Sequence, residues 1–245
     1  MISKKNGIEF EFINGNSESN INLVYIHGSG CDKGFLRALA GQTKEYNSYL
    51  IDLPGHGGSD NTGYNVENYV DSISNFVENL DNVILIGHSL GGTLVLSVSA
   101  RNTSTVKGSI IISSAAKWSN LNKDFIQKIH KGIVDMDYLL ECCGQITDPL
   151  ATEALSHMSS ELLLEDFIID EIVNVESCLK DIDVPTTIVT GGDEILALVE
   201  YSEYMHRNIN NSKLTIIPNE RHLLPITKKD EVSKLIKDLV ISIDN

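Results

Sequence analysis

The stretch VILIGHSLGG, residues 83–92, decides how the rest of the chain is interpreted. It begins as an apolar run typical of a buried strand, and residues 93–100 favour a helix. Gly87, Ser89 and Gly91 fit the pattern GxSxG, in which the serine lies at the apex of a sharp strand-to-helix turn. Glycine on both sides lets the chain fold back without Cβ clashes. Ser89 could instead be an ordinary helix N-cap, but the strand–turn–helix context favours an exposed nucleophile.

Composition argues against several classes of partner. Of the 245 residues, 19 are Lys or Arg and 34 are Asp or Glu, which gives a formal net charge of −15. Nucleic acid and anionic membranes both require a basic surface, so neither is an expected partner. No apolar run approaches the roughly 18 residues of a membrane span. The opening residues MISKKNG lack the apolar core of a signal peptide.

The cysteines indicate a reducing compartment. Cys31, Cys142, Cys143 and Cys178 show no paired CxxC spacing, which argues against a zinc site. The adjacent pair at 142 and 143 is better explained by buried thiols than by redox chemistry, because free cysteine is among the most buried residue types. We therefore expect a cytoplasmic protein with no metal and no cofactor.

Strand and helix patterns alternate along most of the chain. Apolar or alternating runs predict strands at residues 8–13, 21–27, 48–53, 83–88, 106–113, 186–190 and 214–217. Helical spacing predicts helices at residues 66–80, 93–100, 199–207 and 229–243. This order predicts an α/β fold, with a mostly parallel sheet and helices on both faces.

One long segment breaks this alternation. Residues 117–183 show helical spacing and no convincing strand, and they are too many for a bare loop in a compact domain. We interpret this segment as a helical lid, or cap, inserted into a core formed by residues 1–116 and 184–245. The insertion is expected at the carboxyl end of the sheet, where ligands bind in open α/β folds.

A serine nucleophile needs a base within reach, and the base needs an orienting acid. Among seven histidines, His222 follows the last predicted strand, which places it at the sheet edge expected for Ser89. The acid should follow the preceding strand, where Asp193 and Glu194 are adjacent candidates. The sequence therefore predicts a serine, histidine and acid at one end of the sheet.

Four motifs together resemble those of the α/β-hydrolase superfamily, in its lipase/esterase-like branch with a helical lid. They are HGSG at residues 27–30, DLPGHGGS at 52–59, GHSLGG at 87–92 and the segment around His222. The resemblance implies that Ser89 is the nucleophile and His222 the general base. It also implies that the backbone N–H groups of Ser29 and Leu90 form the oxyanion hole. For His27, His56 and His88 it favours structural roles.

Two departures from the family pattern leave questions open. The acid usually stands three residues after the strand-ending glycine, and counting from Gly191 gives Glu194. Asp193 is one residue early, yet aspartate is the commoner acid, so both candidates remain. Arg221 replaces the usual glycine before His222, where a bulky cation would narrow the pocket or repel a protonated histidine.

The resemblance implies a serine hydrolase that cleaves a small-molecule carboxylic ester through an acyl-enzyme intermediate. Haloalkane dehalogenases and epoxide hydrolases share the fold but need an aspartate in place of Ser89. A thioesterase, a C–C bond hydrolase or an acyltransferase would use the same residues. The alternative to an enzyme is a ligand-binding member of the fold with little turnover. The sequence does not predict the acyl specificity or the oligomeric state.

Overall fold

The computed structural model describes residues 1–16, 19–101, 104–144, 146 and 148–244. Within these ranges eight strands form one sheet, in the order β1-β2-β4-β3-β5-β6-β7-β8. The strands are β1 (Ile2–Lys5), β2 (Ile8–Ile13), β3 (Asn22–Ile26), β4 (Asn47–Ile51), β5 (Val83–His88), β6 (Val106–Ile112), β7 (Thr186–Gly191) and β8 (Ser212–Ile217). The β1/β2 and β2/β4 pairings are antiparallel, and the others are parallel. The predicted α/β class with a mostly parallel sheet is confirmed.

Helices cover both faces of the sheet. They are α1 (Arg37–Ala40), α2 (Val66–Val77), α3 (Leu90–Ala100), α4 (Lys123–Ile129), α5 (Met136–Cys143), α6 (Pro149–Leu155), α7 (Ser160–Ile172), α8 (Val199–Asn208), α9 (Leu224–Thr227) and α10 (Lys229–Asp244). Two 3-10 helices occupy Lys33–Leu36 and Glu176–Asp181. Because successive strand side chains alternate in direction, Val24 packs into the cluster with α2, α3 and α8. Its neighbour Tyr25 packs into the opposite cluster with α1 and α10.

Residues 117–183, called the insertion below, hold helices α4 to α7 between β6 and β7. Their apolar side chains form a third cluster, centred on Trp118, Phe125 and Phe167, which also includes Tyr201 of α8. Among the described residues of the insertion, strand pairing is limited to one isolated bridge between Lys117 and Asn174. In the part of the chain that the structure describes, no helix is both long and apolar enough to cross a bilayer.

Strand β1 was missed by sequence analysis. Its residues ISKK are mostly exposed and lack apolar alternation, so no pattern marks them as a strand. The strand forms because Asn6 and Gly7, with φ of 51° and 82°, make a two-residue hairpin loop to β2. This Asn-Gly pair was the available signal. Helix α3 also begins at Leu90, three residues before the predicted start.

Candidate active site

Ser89 occupies a strained turn between β5 and α3. Its φ of 55° and ψ of −124° lie in a region that non-glycine residues rarely adopt. Its neighbours allow no side chains: a Cβ on Gly87 would lie 2.3 Å from the carbonyl oxygen of Gly91, and a Cβ on Gly91 would lie 2.3 Å from that of Ile26. The Ser89 N–H donates to the Ile112 carbonyl at 3.0 Å. These contacts hold the serine in its strained conformation at the carboxyl end of the sheet.

His222 faces a buried glutamate. Its Nδ1 lies 3.0 Å from Glu194 Oε1 and 3.3 Å from Oε2. The Glu194 side chain is fully buried, with 0% exposure. Asp193 is exposed, and its N–H donates to the Glu220 carbonyl. Of the two candidate acids, the structure brings Glu194 to His222 and leaves Asp193 at the surface.

Ser89 and His222 line the same cavity. Because Nδ1 of His222 faces Glu194, its Nε2 is the ring nitrogen left for the serine. Among the described residues no hydrogen bond joins Ser89 Oγ to His222. Catalytic hydrogen bonds of this kind often tighten only once substrate is bound. The arrangement therefore suits proton transfer between a serine and a histidine held by a carboxylate.

The backbone N–H groups of Leu90 and Ser29 belong to residues next to Ser89, the first in the chain and the second in the neighbouring loop after β3. Leu90 is the first residue of α3, so its N–H belongs to the unpaired end of a helix. Ser29 follows Gly28, whose Cβ, if present, would lie 2.9 Å from Ser89 Cβ. In the described ranges neither N–H donates a hydrogen bond to a protein acceptor. Both groups are therefore available to an oxygen bound beside the serine.

Two acids of the insertion also reach this site, and sequence analysis missed both. Ser29 Oγ donates to Asp170 Oδ2 at 2.7 Å, and Gly30 N–H donates to Asp166 Oδ2 at 2.8 Å. Both carboxyl groups are buried. The available signal was their spacing of one helical turn, in the segment LLLEDFIIDEI at residues 162–172, which also contains Glu165 and Glu171.

Burial changes the protonation of Asp170. Desolvation raises its pKa from 3.8 to about 8, the hydrogen bond from Ser29 lowers it, and the charge of Asp166 raises it further. Its Oδ1 has no hydrogen-bond partner in the structure. An unpaired oxygen costs less on a neutral carboxyl group than on a carboxylate. Burial therefore favours the neutral form of the Asp170 carboxyl group.

This pKa makes stability depend on pH in a definite direction. Between 3.8 and about 8 the folded protein binds a proton at Asp170 that the unfolded chain has released. The contribution of Asp170 to the free energy of unfolding therefore falls as pH rises through this window. We expect Asp170→Asn, which cannot ionise, to gain stability relative to the parent protein from pH 5 to pH 8.5. Urea midpoints at both pH values measure this, and parallel curves would contradict it.

The three histidines expected to be structural all make buried contacts. Nε2 of His27 accepts the Leu53 N–H at 3.1 Å, and burial lowers its pKa to about 4. Nε2 of His88 donates to the His222 carbonyl at 2.9 Å, and burial lowers its pKa well below the usual range. His88 thus lies in the cavity wall and supports the backbone of the loop that carries the candidate base.

His56 packs against the acid of α7. Its Nε2 lies 2.9 Å from Asp166 Oδ2, and Tyr69 Oη donates to Asp166 Oδ1 at 3.0 Å. Burial lowers the pKa of His56, but the hydrogen bond and charge of Asp166 outweigh it and raise the pKa overall. This ion pair joins the PGHG turn of the core to the insertion.

Arg221 does not line the Ser89 cavity. Its guanidinium donates to the Glu141 carbonyl at 2.6 Å, near the end of α5, where a cation suits the helix dipole. Of the two alternatives raised for Arg221, narrowing of the pocket by its side chain is therefore not observed. Among the described residues, no three His, Cys, Asp or Glu side chains are grouped as metal ligands would be.

The cavity above Ser89 is narrow and apolar, with a volume of ≈ 50 Å³. Besides Ser89 and His222, its lining comes from the loop and 3-10 helix after β3, from the insertion, and from residues at or after the carboxyl ends of β5, β7 and β8. It comprises Gly28, Ser29, Cys31, Phe35, His88, Leu139, Cys142, Cys143, Leu155, Met158, Leu163, Phe167, Leu196 and Leu223. No Lys, Arg, Asp or Glu belongs to this lining.

Sequence comparison finds one family over most of the chain. A model described as "Alpha/beta hydrolase family" matches residues 23–235. An (E)-2-((N-methylformamido)methylene)succinate hydrolase of Acinetobacter baylyi is 23% identical over 233 residues, covering 88% of each chain. A pimeloyl-[acyl-carrier protein] methyl ester esterase of Shewanella woodyi is 34% identical over 93 residues, covering 38% of this chain and 36% of that protein.

Solved structures show the same architecture. A lipase-esterase related protein from Clostridium acetobutylicum superposes with a TM-score of 0.91 and 32% identity, over 95% of this chain and 99% of that one. An esterase from Exiguobacterium antarcticum superposes with a TM-score of 0.82 and 21% identity, over 95% of both chains. The second likeness concerns the fold alone.

Proposed function

The chain belongs to the alpha/beta hydrolase family, as its four motifs predict, and on that premise we propose that it hydrolyses small carboxylic esters through Ser89, His222 and Glu194. The observation that carries the proposal is the buried Glu194 carboxylate, 3.0 Å from Nδ1 of the histidine that shares a cavity with Ser89. A buried acid orients a histidine and stabilises its protonated form during the reaction.

In the proposed reaction, Ser89 Oγ attacks the acyl carbon while Nε2 of His222 takes its proton. The carbonyl oxygen becomes an oxyanion, which accepts hydrogen bonds from the N–H groups of Ser29 and Leu90. His222 then gives its proton to the departing alcohol, and an acyl-enzyme remains on Ser89. Water, deprotonated by His222, attacks this ester, releases the carboxylic acid and restores the serine. Each oxyanion donor typically contributes about 3 kcal/mol to such a reaction.

The cavity supports a short, uncharged acyl group. Its volume of ≈ 50 Å³ leaves little room for a long chain, and its lining offers no cation to a carboxylate. Burying an unpaired charge there would be costly. Helices α5, α6 and α7 supply Leu139, Leu155 and Phe167 to this lining, so we propose that the insertion acts as a lid over the acyl site. The expected cytoplasmic location stays a prediction.

A panel of p-nitrophenyl esters tests this proposal. We expect kcat/KM for the acetate and butyrate to exceed that for the octanoate and a hemisuccinate by about tenfold or more, since one methylene that does not fit a hydrophobic pocket costs ~1–3 kcal/mol. Leu155→Ala should widen the cavity and improve the octanoate relative to the acetate. Ile216→Ala, at a half-exposed position on β8, is the control and should leave the order unchanged. Absence of turnover with every ester would refute ester hydrolysis, and a preference for octanoate would refute the short acyl site.

A further inference from the structure

Helix α7 carries two buried acids that the proposed reaction does not use. Asp166 is fully buried and Asp170 is 2% exposed. Acidic side chains are almost never fully buried unless they are paired. On the same helix Glu171 is half exposed, where it pairs with His130. The two buried acids face the loop after β3 that contains Ser29.

Three hydrogen bonds join the insertion to Ser29 and Gly30 of this loop. Asp166 accepts the Gly30 N–H at 2.8 Å, and the Ser159 N–H donates to the Gly30 carbonyl at 2.8 Å. Asp170 accepts the Ser29 hydroxyl at 2.7 Å. The Ser29 carbonyl accepts from Cys31 Sγ at 3.5 Å. Among the described residues, the Ser29 N–H, which is the proposed oxyanion donor, donates to no protein acceptor.

The loop and α7 are also in close apolar contact. A Cβ on Gly30 would lie 2.3 Å from Cγ of Leu163, so the backbone of the loop packs directly on the helix. Asp166 is fixed in turn by His56 and Tyr69 of the core. The peptide that carries the Ser29 N–H is held at its Gly28 carbonyl, which accepts the Cys31 N–H at 3.2 Å and lies 2.9 Å from Nδ1 of His27. Asp170 adds a further restraint at the Ser29 side chain.

We propose that Asp170 is a positioning residue, which holds the Ser29 hydroxyl so that the Ser29 backbone N–H points at the oxyanion formed on the Ser89-bound substrate. This inference rests on the proposed function, because it assigns Asp170 a role in that reaction. It makes helix α7 of the insertion part of the oxyanion hole as well as part of the acyl site.

The role has a kinetic signature. An oxyanion forms only in the transition state, so a misdirected N–H lowers kcat and leaves KM nearly unchanged. We expect Asp170→Ala to lower kcat by about 10- to 100-fold, less than the ~10²- to 10³-fold typical of removing a donor outright. Ser29→Ala keeps the backbone N–H but loses the hydroxyl, so it should lower kcat by a similar factor.

The decisive experiment is a double-mutant cycle with p-nitrophenyl acetate. If Asp170 acts through the Ser29 hydroxyl, the double variant Ser29→Ala/Asp170→Ala should be no slower than either single variant. Asp170→Asn keeps an acceptor for the hydroxyl and should retain kcat within about threefold of the parent protein. Glu171→Gln removes an acid from the exposed side of the same helix and serves as the matched control.

Each of the following outcomes either supports or overturns the positioning role of Asp170. Multiplying losses in the double variant, equal loss in Asp170→Asn and Asp170→Ala, or a rise in KM alone would overturn positioning. The rate of Ser89 phosphonylation by a fluorophosphonate is a second readout, because that reaction also develops negative charge on oxygen. If the parent protein hydrolyses esters and all Asp170 variants match it, positioning alone fails. If the parent protein neither hydrolyses esters nor is labelled, the proposed function fails and this inference with it. If circular dichroism shows that Asp170→Ala is misfolded, Ser29→Ala and Asp170→Asn test the positioning role instead.

Discussion

Replacing Ser89 with Ala is expected to lower kcat for p-nitrophenyl acetate by about 10⁶-fold, the scale at which loss of a serine nucleophile leaves only binding and the oxyanion hole. The change removes one oxygen and keeps a Cβ, so the strained turn with φ of 55° meets no new side chain. Thermal unfolding should therefore change little. Purified protein, with kcat and Tm measured on the same preparation, separates loss of chemistry from loss of fold.

A second serine on the following helix provides the matched control. Ser99 of α3 is buried, and its hydroxyl has no hydrogen-bond partner, so Ser99→Ala makes the same chemical change away from the cavity. A fluorophosphonate should label the parent protein and Ser99→Ala but not Ser89→Ala, with the mass added to the peptide containing Ser89. Undiminished turnover in Ser89→Ala would refute the nucleophile. A folded parent protein that is neither labelled nor active would favour a ligand-binding role.

Replacing Glu194 with Gln is expected to lower kcat by about 10⁴-fold, because an amide cannot hold the imidazole tautomer that takes the serine proton. The neighbouring Asp193→Asn makes the same change of charge one residue away. Its side chain is exposed, while that of Glu194 lies against His222, so Asp193→Asn should retain kcat within about threefold of the parent protein. Steady-state kinetics of the pair decide the acid, and the reverse order of losses would assign the role to Asp193.

Features fixed by local geometry could be predicted from the sequence. The Ser89 turn needs glycine at two nearby positions, and the parallel strands follow from runs of apolar residues. The position of Glu194 after Gly191 favoured it over Asp193 but left both open, because the choice depends on how the loop after β7 directs two adjacent side chains. Strand β1 was hidden for a different reason, since an exposed edge strand is held by backbone pairing and leaves little apolar pattern.

The acids of α7 were hidden by distance along the chain. Asp166 contacts a residue 136 positions away, and Asp170 contacts one 141 positions away. Nothing in a local window indicates such a contact, and an acid in a helix is usually solvent-exposed. Asp166 and Asp170 lie one helical turn apart, but the exposed Glu165 and Glu171 adjoin them, so the sequence does not show which of these acids are buried.

Under the proposed function, helix α7 limits how the substrate specificity of this chain can evolve. Leu163 and Phe167 face the acyl cavity, and the loop-contacting Asp166 and Asp170 lie between or beside them on the same helix. A substitution at Leu163 or Phe167 that alters the proposed substrate range therefore lies within one helical turn of Asp166 or Asp170. These two acids contact the loop that contains the Ser29 N–H. Leu139 on α5 faces the same cavity, and the carbonyl of Cys142 on that helix accepts the N–H of His222 at 3.3 Å. Under the proposed function, α5 and α7 therefore each tie substrate range and rate together.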